Sequence, residues 1–342
     1  PSEPALPGFA SMAHGFFHEV RNGHTVIGHG GDTVVFHTEL DLLPQDGVGI
    51  FYNFNSRGRD AAVYGLRKAL FDEFMNRYFP SRSPAADPPA LPTARADARR
   101  IAGRYEESRR VEHGFLSVFY LLQQTVIGAT PAGESTAPRV LEPGTVNFRE
   151  VAPDVWREVG GTRELALRTE KGVKTVIDSE DPISVLQAVS LPRSAALNLT
   201  VLVSSLAVLV LTVVLWPVTA IVRRRYGAPA TSPDLRRLRM LTGGAVIIEL
   251  VYVVAWILLL RPVLSSELWV YSTRLDPVVR TLQLAGLLVI AAAAVGVWSL
   301  WRASRLQSSW IATMRNAAIA AALLGTVWIA FMGRLLSFEL NY

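Results

Sequence analysis

No cysteine occurs among the 342 residues, which removes a disulfide framework, a cysteine-ligated zinc or iron–sulfur site and a thiol nucleophile. Charge is scarce as well: 18% of residues are Asp, Glu, Lys or Arg, 50% are hydrophobic, and the mean hydropathy is +0.27. A chain this apolar is neither a disordered tail nor an ordinary water-soluble enzyme, so part of it is expected in lipid. Residue 1 is Pro rather than Met, and no basic stretch followed by an apolar run opens the chain as a signal peptide would. It therefore reads as the C-terminal portion of something longer. At roughly 150 residues per domain, the length implies two or three domains.

The net charge of +5 is unevenly spread. Pro1 to Ser194 carries 21 Lys and Arg against 24 Asp and Glu, whereas Ala195 to Tyr342 carries 13 against 5. The cations flank hydrophobic runs and form no stripe interleaved with stacking aromatics, which argues against a nucleic-acid partner. Four runs are long enough to cross a bilayer at about 20 residues each: Ala195–Val222, Leu241–Leu260, Thr281–Trp301 and Ala317–Leu336. The expected partner of the 195–342 domain is thus the lipid bilayer.

Loop charge orients these helices, because short cytoplasmic loops carry the Lys and Arg excess. The first connection holds Arg223, Arg224, Arg225, Arg236, Arg237 and Arg239 against Asp234, and the third holds Arg302, Arg305 and Arg315. In the second, Arg261, Arg274 and Arg280 are partly offset by Glu267 and Asp276. The expectation is a multi-pass protein of a bacterial cytoplasmic membrane, with both termini and residues 1–194 outside. Trp256, Trp269, Trp298, Trp301 and Trp310 fall near helix ends, as an interfacial belt would. Glu249 lies deep in the second run, where an ionisable group is expensive and marks a candidate intramembrane polar site. Thr212 is its candidate partner, while Arg334 is expected to snorkel and Pro217 to kink its helix.

The expected fold is α+β. Residues 81–98 read as a Pro-rich linker, with Pro84, Pro88, Pro89 and Pro92, and 99–190 as a small antiparallel β domain. Strands are expected at Val155–Val159, Glu164–Thr169 and Val173–Ile177, joined at Gly160-Gly161 and Lys171-Gly172. In residues 1–80, strands are expected at Gly15–Val20, Thr25–Gly28, Val34–Leu43 and Val48–Phe54. Turns at Asn22-Gly23, Gly30-Gly31-Asp32 and Pro44 to Gly47 join them into a meander. A helix from Gly58 to Tyr78 follows, turning Val63, Leu66, Leu70, Phe74 and Tyr78 to the sheet. His14, His18, His24, His29 and His37 lie close in sequence, but no H-E-x-x-H occurs and no carboxylate sits at a ligand offset. Neither a metal nor another cofactor is expected.

The string Gly28-His29-Gly30-Gly31-Asp32-Thr33, then Phe36-His37-Thr38-Glu39-Leu40, Val48-Gly49-Ile50 and Asn53-Phe54-Asn55-Ser56, resembles the C-terminal end of the serine β-lactamase and penicillin-binding-protein-like family, class C type. The likeness covers about residues 8–80. It implies an incomplete hydrolase domain in which His29-Gly30-Gly31 stands in the place of the K-T-G motif at a sheet edge. By the same resemblance the Asp32 backbone N–H would face the oxyanion, and His29 would be a proton-accepting group beside the scissile bond. A His there suggests the esterase or peptidase branches. The other two motifs are absent: Lys68, Lys171 and Lys174 follow Gly65, Arg168 and Lys171 at the S-x-x-K spacing, and no Tyr precedes Asn by two. The chain alone is therefore expected to be inactive, the C-terminal part of a membrane-anchored extracytoplasmic serine hydrolase acting on a small ester or peptide substrate. The alternatives are a non-catalytic receptor with a penicillin-binding-like domain and a small transport bundle using Glu249.

Overall fold

In the computed structural model, which describes residues 9–81, 91–227, 232–264, 273–306 and 309–340, the chain divides into two units. One comprises Pro1–Arg110 and Gln124–Val189, the other Val111–Gln123 and Ser190–Tyr342. The fold is α+β, with antiparallel sheets, a closed eight-stranded barrel and four long apolar helices.

Five strands open the first unit: β1 (Ser11–Ala13), β2 (Phe16–Arg21), β3 (His24–Asp32), β4 (His37–Leu43) and β5 (Val48–Phe54). They pair in chain order as a meander. Gly30-Gly31-Asp32 is no turn, contrary to the sequence expectation, but the last stretch of β3. The chain reverses at Thr33 to Phe36 instead, where the Thr33 amide donates to the Phe36 carbonyl at 2.8 Å and the Phe36 amide donates to the Thr33 hydroxyl at 2.9 Å. Threonine closes that turn with its own side chain, a signal weaker than Gly-Gly in sequence.

The following helix, α1 (Ala62–Tyr78), buries Val63, Arg67, Phe71 and Met75 against Val26 and Leu43 of the sheet. The expected face was rotated by about one residue, or 100°. Leu66, Leu70 and Tyr78 are exposed to 52%, 40% and 62%, because Arg67 turns inward to carboxylates on β3 and β4. On the opposite side of the sheet Phe16, Val20, Leu42 and Phe51 stay exposed.

Helix α2 (Ala94–Ile101) leads into the barrel. Residues 82–90 of the expected linker lie outside the described residues, and Ala94 to Ala98 are helical because Ala94, Ala98 and Ile101 bury at helical spacing beside the barrel. The barrel strands are β6 (Gly103–Glu107), β7 (Thr125–Ala129), β8 (Ser135–Pro138), β9 (Thr145–Ala152), β10 (Val155–Glu158), β11 (Glu164–Glu170), β12 (Val173–Asp178) and β13 (Val185–Ala188). β13 pairs with β6 and β9 with β10, so no edge is left open. Trp156, Tyr105, Phe148, Leu165 and Val176 fill the interior with Ile101. The Tyr105 hydroxyl donates to the Ile101 carbonyl, tying α2 to that core.

The second unit contains α3 (Ser117–Leu122) and four long helices: α4 (Ala195–Arg225), α5 (Pro233–Leu264), α6 (Asp276–Leu306) and α7 (Trp310–Met332). Each long helix is apolar enough to cross a membrane. α7 begins before the expected Ala317 and stops at Met332, with a turn over 333–336. α5 packs on α6, α6 on α7 and α7 on α4, with small residues at the contacts. Gly243 lies under the Trp216 ring and Gly325 against Ser205, where any side chain would collide.

Val111–Gln123 belongs to this unit, an assignment absent from the sequence reading. Phe115 and Val118 join Trp256, Leu259 and Val279 in one buried cluster. Trp256 is accordingly not an interfacial belt residue: it is 3% exposed, with its ring 5.7 Å from Phe115. Trp298, Trp301 and Trp310 are exposed, whereas Trp269 and Glu267 lie outside the described residues.

If the Phe115 ring anchors this segment, Phe115→Ala loses about 3–5 kcal/mol of local packing. Hydrogen exchange of the full chain in nanodiscs should then speed up over 111–123 and leave β11 and β12 unchanged. Equal protection in both proteins would contradict the anchoring.

Candidate functional site

Four expected site residues, His29, Gly30, Gly31 and Asp32, end up contiguous at the end of β3. Their ladder with β4 pairs His29 with Leu40, Gly30 with Glu39, Gly31 with Thr38 and Asp32 with His37. In an antiparallel ladder hydrogen-bonded and non-bonded pairs alternate. The Thr33 amide bonds across the turn, so Thr33 and Gly31 point their amides at β4, while Gly30 and Asp32 point theirs away. On that far side β2 pairs with β3 only as far as Gly28. The amides of Gly30 and Asp32 therefore face a strand edge that β2 leaves open.

Glycine matters at two places along this strand. A Cβ on Gly31 would sit 2.6 Å from the Thr38 hydroxyl, which itself donates to the Gly31 carbonyl at 3.2 Å. A Cβ on Gly28 would lie 2.8 Å from the Leu40 carbonyl, a backbone atom that cannot move aside. His29 is exposed, stacked on Phe17 at 5.4 Å between centroids and edge-on to Phe16 at 6.1 Å. Its ring is held beside the open edge by these two aromatics.

The Asp32 side chain has a separate task. Its carboxylate accepts from His37 Nδ1 at 2.6 Å and from both terminal nitrogens of Arg67 at 3.3 Å. Arg67 also donates to the Thr38 carbonyl at 2.8 Å, lies 3.6 Å from Glu39 and covers the Tyr64 ring. Both His37 and Arg67 are buried. The Asp32 amide can thus face the edge while its carboxylate is fastened to the core. Sequence reasoning missed Arg67 and His37; the available signal was a lone Arg at i+4 from Val63 on the apolar face of α1.

On the α1 side of the sheet is a cavity of about 240 Å³, lined among others by Glu19, Glu39, Asp41, Arg67, Glu158 and Arg163. Most of its charges are paired, such as Lys68 with Glu180 at 2.7 Å. Asp41 is the most deeply buried carboxyl without an ion pair there, 7% exposed and with Oδ2 unbonded. Burial, with Glu39 and Glu19 nearby, pushes its carboxyl up to about 7. Burial also raises Glu39, against the opposing pull of Arg67. Among the described residues no group of three or more His, Asp or Glu side chains converges as a metal site would require. His24 instead pairs with Asp46 at 2.9 Å.

In the second unit Glu249 is fully buried on α5. Thr326 of α7, whose hydroxyl donates to the Ala322 carbonyl at 3.2 Å, is the polar group beside it, whereas the hydroxyl of Thr212, the expected partner, donates to the Val208 carbonyl. Four apolar spans define the class of the chain: a multi-pass membrane protein associated with the lipid bilayer.

No protein-family model matches the chain, and no curated protein matches it. Two of the solved structures it resembles are SurE with D-Leu and the octameric penicillin-binding protein homologue from Pyrococcus abyssi. The first is 15% identical with a TM-score of 0.28, over 51% of this chain and 38% of that one. The second is 14% identical with a TM-score of 0.19, over 52% and 37%. The chain spans well under half the length of either, and scores this low establish no shared fold.

Asp41 makes stability depend on pH. Its folded value near 7 exceeds the ordinary 3.8, so the folded state binds the proton more tightly and loses stability as pH rises from about 4 through 7. Asp41→Asn mimics the neutral form and removes that slope. Thermal unfolding should give the variant little advantage at pH 4 and a clearly higher Tm at pH 8; a constant difference would refute the assignment.

Proposed function

We propose that the chain is the C-terminal, membrane-anchoring part of an extracytoplasmic serine hydrolase related to the β-lactamases and penicillin-binding proteins, transferring an acyl group from a small ester or peptide. The observation that carries this reading is the open edge of β3, where the amides of Gly30 and Asp32 face outward beside an exposed His29. Outward amides on a rigid strand suit a developing oxyanion, because they are aligned before the reaction and need no reorganisation. His29 stands where it can accept or return a proton. The nucleophile and its base, missing from these 342 residues, have to come from residues outside them. The exposed apolar face with Phe16, Val20, Leu42 and Phe51 supports that requirement, since a sheet with one wet apolar face is missing a packing partner. On this reading the sheet belongs to the β-lactamase-like domain, and the chain sits in a bacterial cytoplasmic membrane with residues 1–194 outside.

Kinetics on the complete hydrolase test the site. His29→Ala is expected to lower kcat by about 10²-fold to 10⁴-fold. Gly31→Val, combined with Thr38→Ala to clear the contact, should lower kcat/KM at least about 10²-fold at an unchanged Tm. Asp32→Ala should lower Tm instead, because it strips Arg67 and His37 of their carboxylate. The 342 residues alone should not turn over nitrocefin or p-nitrophenyl esters. Near wild-type rates in folded His29 and Gly31 variants would reduce the segment to a structural strand end.

Orientation has its own test, made clean by the lack of native cysteine. In intact cells an impermeant maleimide should label Lys171→Cys and spare Ser232→Cys. The reverse pattern would invert the topology.

A further inference from the structure

Buried polar atoms without partners are few in folded proteins, and in a bilayer no bulk water can reach them. In the second unit several fall along one line. Both carboxylate oxygens of Glu249, the Tyr252 hydroxyl, Gln283 Oε1 and Glu339 Oε2 are buried, with Thr326 the polar group beside Glu249 and Trp256 packed against Tyr252. Glu249 and Tyr252 are one turn apart on the inward stripe of α5. The Tyr252 hydroxyl lies 3.2 Å from the place a Cβ on Gly286 would occupy, a place the Leu336 side chain fills, so glycine there brings the hydroxyl close to the α6 backbone. Gln283, one turn away on the same face of α6, donates from Nε2 to the Glu339 carbonyl at 2.9 Å. The Glu339 carboxylate is 3.6 Å from Nδ1 of His113, whose side chain is 67% exposed.

We propose that Glu249 is an intramembrane proton-binding site, filled and emptied from the aqueous phase at the His113 end through waters held along Glu339, Gln283 and Tyr252. Each of these buried polar atoms has hydrogen-bonding capacity left for a bridging water, and such sites one helical turn apart suit a hydrogen-bonded chain. Protonation forms the carboxyl O–H of Glu249 from a hydrated proton and discharges the carboxylate; release returns the proton by the same route, with no other reactant. Among the described residues no charged group pairs with Glu249, and Leu209 of α4, Ala292 and Ala293 of α6 and Leu323 of α7 pack with the α5 midsection. Thr326 of α7 adds a hydroxyl beside the carboxyl group and no charge. In the other direction the α5 stripe continues through Val246, Ala245 and Leu238, all apolar, and the buried Ser299 of α6 adds a hydroxyl there but no charge. This inference does not depend on the hydrolase reading.

Infrared difference spectroscopy on the full chain in proteoliposomes tests it. Subtracting Glu249→Gln from the wild type should isolate one protonated-carboxyl band, present at mildly acidic pH and shifting after transfer to D2O. In Tyr252→Phe combined with Gln283→Leu the same shift should slow by at least about tenfold. Gln283→Leu alone, close in volume, serves if the double variant does not fold, and should slow exchange in the same direction. A missing band at every pH from mildly acidic to mildly alkaline, a band that fails to exchange in the wild type, or exchange equally fast in the track variants would each overturn the proposal.

Discussion

A charge removed from water must find a counter-charge or hydrogen bonds, and much of this molecule is arranged to meet that demand. Arg67 meets it in the sheet, where one guanidinium serves Asp32, Glu39 and the Thr38 carbonyl. That requirement rotates α1 about its axis, leaves Leu66 and Leu70 in solvent, and holds the end of β3 against β4. In the barrel Arg163 does the same, donating from Nε to both Asp178 oxygens at 3.1 Å and from Nη1 to the Pro138 carbonyl at 2.8 Å. Two β-built substructures of the first unit thus each depend on one buried arginine.

The edge of β3 gains its character from the division of labour within Asp32. Its carboxylate is committed to Arg67 and His37, which fixes the peptide plane of the residue; the amide is then aimed by ladder alternation alone. Gly31 has no side chain because Thr38 fills that space, and Gly28 because the Leu40 carbonyl does. An edge held this firmly is suited to recognising a carbonyl oxygen, whichever groups complete the chemistry.

In the membrane unit the same demand takes another form. The solvent around the four helices cannot hydrogen-bond, so backbone groups are satisfied within each helix and close contacts fall to Gly243 and Gly325. Segment 111–123 brings Phe115 to Trp256 and His113 to Glu339, and joins the helices instead of the barrel strands that flank it in sequence. Glu249, like Asp41 in the first unit, departs from the rule that governs Arg67 and Arg163: it is a buried ionisable group with no counter-charge, met instead by neutral polar groups along one stripe.

Sequence alone determined whatever depends on local pattern. Uninterrupted apolar runs of bilayer length mark spanning helices, because hydrocarbon admits few other structures. Alternation at period two set the strands of the meander and the hairpin around Lys171-Gly172, since successive side chains must face opposite sides. That alternation stopped at Gly28 in the sequence, so the continuation of β3 through Gly30-Gly31-Asp32 was not legible. Tertiary structure decided what depends on partners distant in the chain. Which face of α1 is buried followed from carboxylates about 30 residues away, a pull invisible to the spacing of leucines. Whether the β domain closes into a barrel rested on β13 finding β6, a contact across some 80 residues that no periodicity encodes. Trp256 left the interface for the core because Phe115 packs on it, and the neighbour of Glu249 is Thr326, on a helix some 80 residues further along the chain. A residue's own sequence fixes its propensity and its chemistry; long-range packing selects the partner.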